Sequence, residues 1–139
     1  MNKKRIMIII VIILVVIVIL GGCENKKLSN NKIKDMDYTI VEESDIPEEL
    51  QKIIAMKKEK KMQLTYVDEG YMYICVGYGK QETGGYSIKV KDLYLTKNAI
   101  CIDSTLVGPN ENDLVLKAAS YPYLVIKIES IDKSVRYNL

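Results

Sequence analysis

The sequence predicts a mainly β fold of the α+β class: an antiparallel β-sandwich or partly open barrel with one N-terminal helix packed on it. Three observations predict this. From Met62 onward, apolar and polar residues alternate with a period of two, in runs broken by Gly, Pro, Asn and Asp. One stretch, Pro47 to about Lys58, instead carries apolar residues at three- and four-residue spacing. The aromatic content is ten Tyr with no Trp or Phe, and Tyr suits half-buried strand faces and contact surfaces.

Residues 1–22 stand apart from this pattern. Lys3, Lys4 and Arg5 form a basic start, and Ile6 to Leu20 is an unbroken apolar run of 15 residues, shorter than the about 20 that span a bilayer. A basic start, a short apolar core and small residues before a break describe a secretory signal. Its end, Leu20-Gly21-Gly22-Cys23, resembles a bacterial lipobox of the Gram-positive type. That resemblance implies that Cys23 is diacylated and becomes the mature N-terminus, two acyl chains giving stable anchoring where one is marginal. The alternative is an uncleaved signal anchor. Both place the remainder outside the cytoplasm, tethered to a membrane. Removing 22 of 139 residues leaves 117, which suits one domain on a short tether. The leader holds three of the 20 basic residues and none of the 18 acids, so the remainder is 17 against 18, net −1. The basic balance therefore belongs to the leader, and a nucleic-acid partner is not expected.

Residues 23–37, polar and rich in Lys and Asn, read as a flexible tether, and 38–139 as the domain. Tyr38 to Val41 is a first short strand. Ser44 and Asp45 offer an N-cap before Pro47 and two first-turn acids, Glu48 and Glu49. The helix buries Leu50, Ile53, Ile54 and Met56 or Lys57. Lys57, Lys58, Lys60 and Lys61 then crowd its end, complementing the helix dipole or touching anionic lipid. Gln63–Val67 and Tyr71–Tyr78 form a hairpin about Asp68-Glu69-Gly70, with Gly77 and Gly79 marking a bulge or a close backbone approach. Gly84-Gly85 joins this to a strand from Tyr86 to Leu95 through a tight hairpin or bulged corner, with Thr83 placed to close the turn through its hydroxyl. Strands follow at Ala99–Leu106, Leu114–Ala118 and Leu124–Ile128, and Ser134–Leu139 closes an edge. Tyr121-Pro122-Tyr123 is a corner in which an aromatic before Pro raises the chance of a cis bond, though most X-Pro bonds are trans.

The chain has no His, which removes the commonest general base and the Ser-His and Cys-His pairs. A Ser-Lys pairing of Ser87 or Ser120 with Lys89 or Lys117 is the remaining enzymatic option, and no catalytic residue is expected. Cys75 and Cys101 each lie between apolar neighbours, so they read as core thiols or as a disulfide formed in an oxidising compartment. Two thiols without His make a poor metal site, so no metal or cofactor is expected.

Three motifs fall in order: Gly77-x-Gly79-Lys80-Gln81-Glu82-Thr83-Gly84-Gly85-Tyr86, then Gly108-Pro109, then Ser120-Tyr121-Pro122-Tyr123. Together they resemble the C-terminal domain of the PrcB family, over about residues 62–135. Glu82 stands where the family has Pro, which leaves the turn to its glycines. The resemblance implies an exported, non-catalytic accessory protein that binds an extracytoplasmic protease or another envelope protein. It marks Thr83, Gly84, Gly85 and Tyr86, with Tyr121, Pro122 and Tyr123, as the binding corner, although glycines in turns and a Tyr-Pro corner serve equally to hold a fold. The alternative is a protease inhibitor, because the Thr83–Tyr86 loop is similar to that of chagasin-type cysteine protease inhibitors.

Overall fold

The computed structural model describes residues 32–139, together with Lys3. Cys23, its lipobox residues Leu20, Gly21 and Gly22, and the tether as far as residue 31 lie outside the described residues. The elements are β1 (Lys34–Asp35), β2 (Thr39–Ile40), a 3-10 turn (Glu43–Asp45), α1 (Glu48–Lys57), β3 (Lys61–Asp68), β4 (Tyr71–Tyr78), β5 (Ser87–Leu95), β6 (Ala99–Val107), β7 (Tyr123–Glu129) and β8 (Ser134–Asn138). They make two four-stranded sheets, ordered β1-β5-β6-β8 and β2-β7-β4-β3. The sheets do not close into a barrel, and the sandwich is the correct form of the expected fold.

Period-two alternation builds the core. Met72, Ile74 and Val76 of β4 and Ile126 and Ile128 of β7 face Leu93, Ile100 and Ile102 of the other sheet. The opposite face of β4 and β7 is buried too. There Ile46, Leu50 and Ile54 cover Met62, Cys75 and Val125. That is why β4 reads as a nearly continuous apolar run while β3, at the edge, alternates. Met56 is 76% exposed and lies off the helix's buried stripe. The expected Ser44 or Asp45 cap does not form: Pro47 is the N-cap residue and makes no side-chain cap bond. Gln51 instead reaches back, its Nε2 donating to the carbonyls of Glu43 and Ile46.

The same alternation settles the cysteines. Ile74 and Val76 face inward, so Cys75 faces α1. Ile100 and Ile102 face inward, so Cys101 faces away from the other sheet, in one cross-strand row with Tyr94 and Arg136. A two-sheet sandwich, about 10 Å thick between its sheets, separates the two sulfurs. Both thiols are free and buried, and the disulfide alternative fails on geometry.

Several local expectations are corrected. Gly84-Gly85 joins no hairpin, because β4 and β5 belong to different sheets and the segment is a crossing between them. Leu114–Ala118 forms no strand. The pairing of β8 with β6 is parallel, since the chain crosses the sandwich before it returns. Described peptide bonds are all trans, including Tyr121-Pro122. The domain also begins before Tyr38: β1 pairs with β5, and the N–H groups of Ile33 and Met36 donate to Leu95 and Leu93. The Asp68-Glu69-Gly70 hairpin forms as expected, with Glu69 and Gly70 both at positive φ.

Candidate functional site

The three sequence motifs meet where the chain crosses from β4 to β5. Gly79, at φ +75°, turns the chain out of β4 against the α1–β3 connection: a Cβ there would lie 3.2 Å from the backbone of Glu59, Lys60 and Lys61. The close approach expected of Gly79 is thus real, and the Lys80 N–H donates to the Glu59 carbonyl at 3.1 Å. Next comes an isolated antiparallel bridge, in which Gln81 and Ser120 exchange backbone bonds of 2.8 and 3.0 Å. The Ser120 hydroxyl donates to the Thr83 carbonyl at 2.7 Å, and the Gly84 N–H donates to the Leu116 carbonyl at 2.9 Å. The Thr83 hydroxyl donates to the adjacent Gly84 carbonyl. These bonds tie residues 81–84 to residues 116–120 along a backbone seam.

The glycines explain why the seam can close. Gly85 has φ +85°, and a Cβ there would fall 2.6 Å from Val115 Cγ1 and 3.1 Å from Pro109 Cβ. Gly108 lies beneath the Tyr86 ring, 3.2 Å from a Cβ position to Tyr86 Cε1. The Thr-Gly-Gly-Tyr and Gly-Pro motifs therefore interlock. Asp113 turns the intervening loop by accepting the Asn110 N–H at 2.8 Å.

Tyr121, Pro122 and Tyr123 continue from the seam into β7. The Pro122 carbonyl accepts the Tyr78 N–H at 3.1 Å. Tyr123 packs against the cluster that α1 covers, and all three residues line a cleft of about 320 Å³ with Val41, Glu43 and Ile46. Lys58 Nζ lies 5.5 Å from the centre of the Tyr121 ring, a cation–π contact. Burial, and after it the Glu43 carboxylate, raise the Tyr123 phenol above its ordinary value. The motifs thus share a backbone frame while their rings serve different neighbours.

What stands out to solvent at this corner is a pair of residues the sequence reading assigns to a strand. Leu114 is 105% and Leu116 is 79% exposed, and Val107 beside Gly108 is exposed too. Leu114-Val115-Leu116 has strand-like character, but Gly108-Pro109 and the Asn110–Asp113 turn carry it across Gly85, where Val115 packs and the leucines face outward. Offset against Val115, their alternation is the signal that could have found them.

The Ser120 hydroxyl is engaged with Thr83, and burial pushes the Cys75 thiol up to about 12. Among the described residues no group of three or more His, Cys, Asp or Glu is placed to hold a metal ion, and no helix is long and apolar enough to cross a membrane.

The model of the family described as PrcB C-terminal matches residues 72–129, from the second residue of β4 to the end of β7. Over this span the chain is similar to the PrcB family. The matched span contains all three motifs and the whole backbone seam. No curated protein and no solved structure matches the chain.

Proposed function

We propose that this chain is a non-catalytic, lipid-anchored accessory protein on the extracytoplasmic face of the cell membrane, which binds an extracytoplasmic protease or another envelope protein through the corner described above. One observation carries the reading: Leu114 and Leu116 stand exposed on a loop that the PrcB motifs tie in place through Gly84, Gly85 and Ser120. Neighbouring exposed apolar groups on a tied loop offer a partner apolar surface to bury. Burying them regains about 25 cal/mol per Å² of apolar surface, without the cost of ordering the loop. The PrcB C-terminal domain supports a role like that of a protease-complex subunit, and the Leu20-Gly21-Gly22-Cys23 pattern supports the anchor. The Thr83–Tyr86 segment, tied along the 108–120 side, supports a framing role for those residues.

The test is metabolic labelling of cells with an alkyne fatty acid, comparing wild type with Cys23→Ser, followed by crosslinking and identification of partners. Label that depends on Cys23, together with a protease or envelope protein lost on Leu114→Ser/Leu116→Ser, is the expected result. Label unaffected by Cys23→Ser removes the anchor. Partners unchanged by the double substitution remove the corner.

A further inference from the structure

A second surface, distinct from the corner, lies along the outer edge of β3. This strand ends its sheet, pairs with β4 without a register shift and contains no Pro, so it lacks the bulges and prolines that blunt sheet edges. Halfway along, the Tyr137 hydroxyl of β8 donates to the Leu64 carbonyl at 2.8 Å and lies 2.7 Å from Thr65 Oγ1. The first half of the edge is left beside a cleft of about 840 Å³. Leu64, Tyr137 and Leu139 line it together with Lys57, Lys60 and Lys61, and Glu59 is the single acidic side chain in the lining. None of these three lysines forms a salt bridge among the described residues.

We propose that this cleft captures a short, extended, acidic segment of a partner polypeptide, its carboxylates meeting Lys57, Lys60 and Lys61 and its backbone lying against the first half of β3. Charge selects the occupant. Residues 1–31 of this chain carry five basic side chains and one acid, so they offer no acidic segment of the kind these lysines select. A second copy pairing the full length of β3 to β3 about a two-fold axis would centre on Leu64 and Thr65, where Tyr137 already sits. An extended acidic peptide meets neither obstacle, and strand-edge binding supplies main-chain affinity with alternate side chains free for the lysines.

The test uses the full chain and a fluorescently labelled Val-Glu-Val-Glu-Val-Glu peptide, read by anisotropy beside the Val-Gln-Val-Gln-Val-Gln counterpart carrying the same label. The Glu peptide should bind, and binding should weaken about tenfold in Lys57→Gln/Lys60→Gln/Lys61→Gln, as expected for three exposed charge pairs. It should also weaken with salt. The charge-matched control Lys34→Gln/Lys89→Gln/Lys117→Gln should keep the affinity, and unchanged circular dichroism should show that both variants fold. Equal binding of the two peptides, no binding, or equal losses in the two triple variants overturns the proposal. Anionic vesicles bound through these lysines in place of the peptide overturn it in favour of a lipid surface. Lysine-dependent self-association in sedimentation without peptide binding overturns it in favour of a second copy. Because the corner's leucines are untouched, loss of this site leaves partner capture through Leu114 and Leu116 to stand or fall separately.

Discussion

Two adjacent glycines should answer differently to the same substitution. Gly85 sits at φ +85° with Val115 Cγ1 2.6 Å and Pro109 Cβ 3.1 Å from its would-be Cβ. Holding an L-residue near the left-handed region costs about 1–2 kcal/mol, and forcing a methyl against a packed neighbour adds about 1–3 kcal/mol. Gly85→Ala should therefore lose roughly 2–5 kcal/mol of unfolding free energy. Gly84 has no positive φ, and its nearest neighbour, Leu116 Cβ, is 3.6 Å away in ordinary contact. Gly84→Ala should stay within about 0.5 kcal/mol of wild type, since reduced freedom of the unfolded chain offsets any loss in the folded one. Urea unfolding followed by far-ultraviolet circular dichroism measures both. Adding Val115→Ala to Gly85→Ala should remove the closer overlap and leave the Pro109 contact and the backbone strain, giving a coupling of about 1 kcal/mol or more. Equal costs at the two glycines, or a neutral Gly85→Ala, would refute the interlocked corner.

Ser120→Ala should cost about 1 kcal/mol, because the Thr83 carbonyl loses the 2.7 Å bond from the hydroxyl; chemical denaturation checks this. Burial raises the Cys75 thiol from its ordinary 9.0 to about 12, so the native state favours the protonated form. That contribution is complete below about pH 9 and is lost as pH rises toward about 12, at about 1.4 kcal/mol per pH unit. A pH series of denaturation midpoints should show the decline, and Cys75→Ala should flatten it relative to wild type, leaving the tyrosine contributions of the same sign. Glu69 holds φ 47° in the β3–β4 turn, so Glu69→Gly should stabilise by up to about 1 kcal/mol in a thermal melt, with no gain contradicting the turn geometry.

Elements whose residues see one environment were legible in the sequence. The helix, the β3–β4 hairpin and the ends of β4 follow from period and turn chemistry, and β4 runs over Tyr71–Tyr78 as expected. Tertiary contacts decided the rest. Nothing local states that β4 and β5 lie in different sheets, so Gly84-Gly85 reads as a tight hairpin or bulged corner, and the segment is a crossing between sheets. Leu114-Val115-Leu116 has strand composition, but its carbonyl bond goes to Gly84 and its middle side chain to Gly85. Polarity assigns Ile33–Met36 to the tether, while backbone bonds to β5 draw it into the sheet. The motif residues were visible as a set; what hid was that their polar groups bind one another and hand the exposed surface to Leu114 and Leu116.

The most direct test of that division of labour is site-specific photocrosslinking in cells. A photoreactive residue replaces Leu114, and a second replaces Val67, which is 55% exposed on β3 away from the corner. The account predicts a discrete crosslinked protein from position 114, lost on Leu116→Ser, and none of that mass from position 67. Identical products from both positions, or none from position 114 in cells where the protein is present, would contradict it.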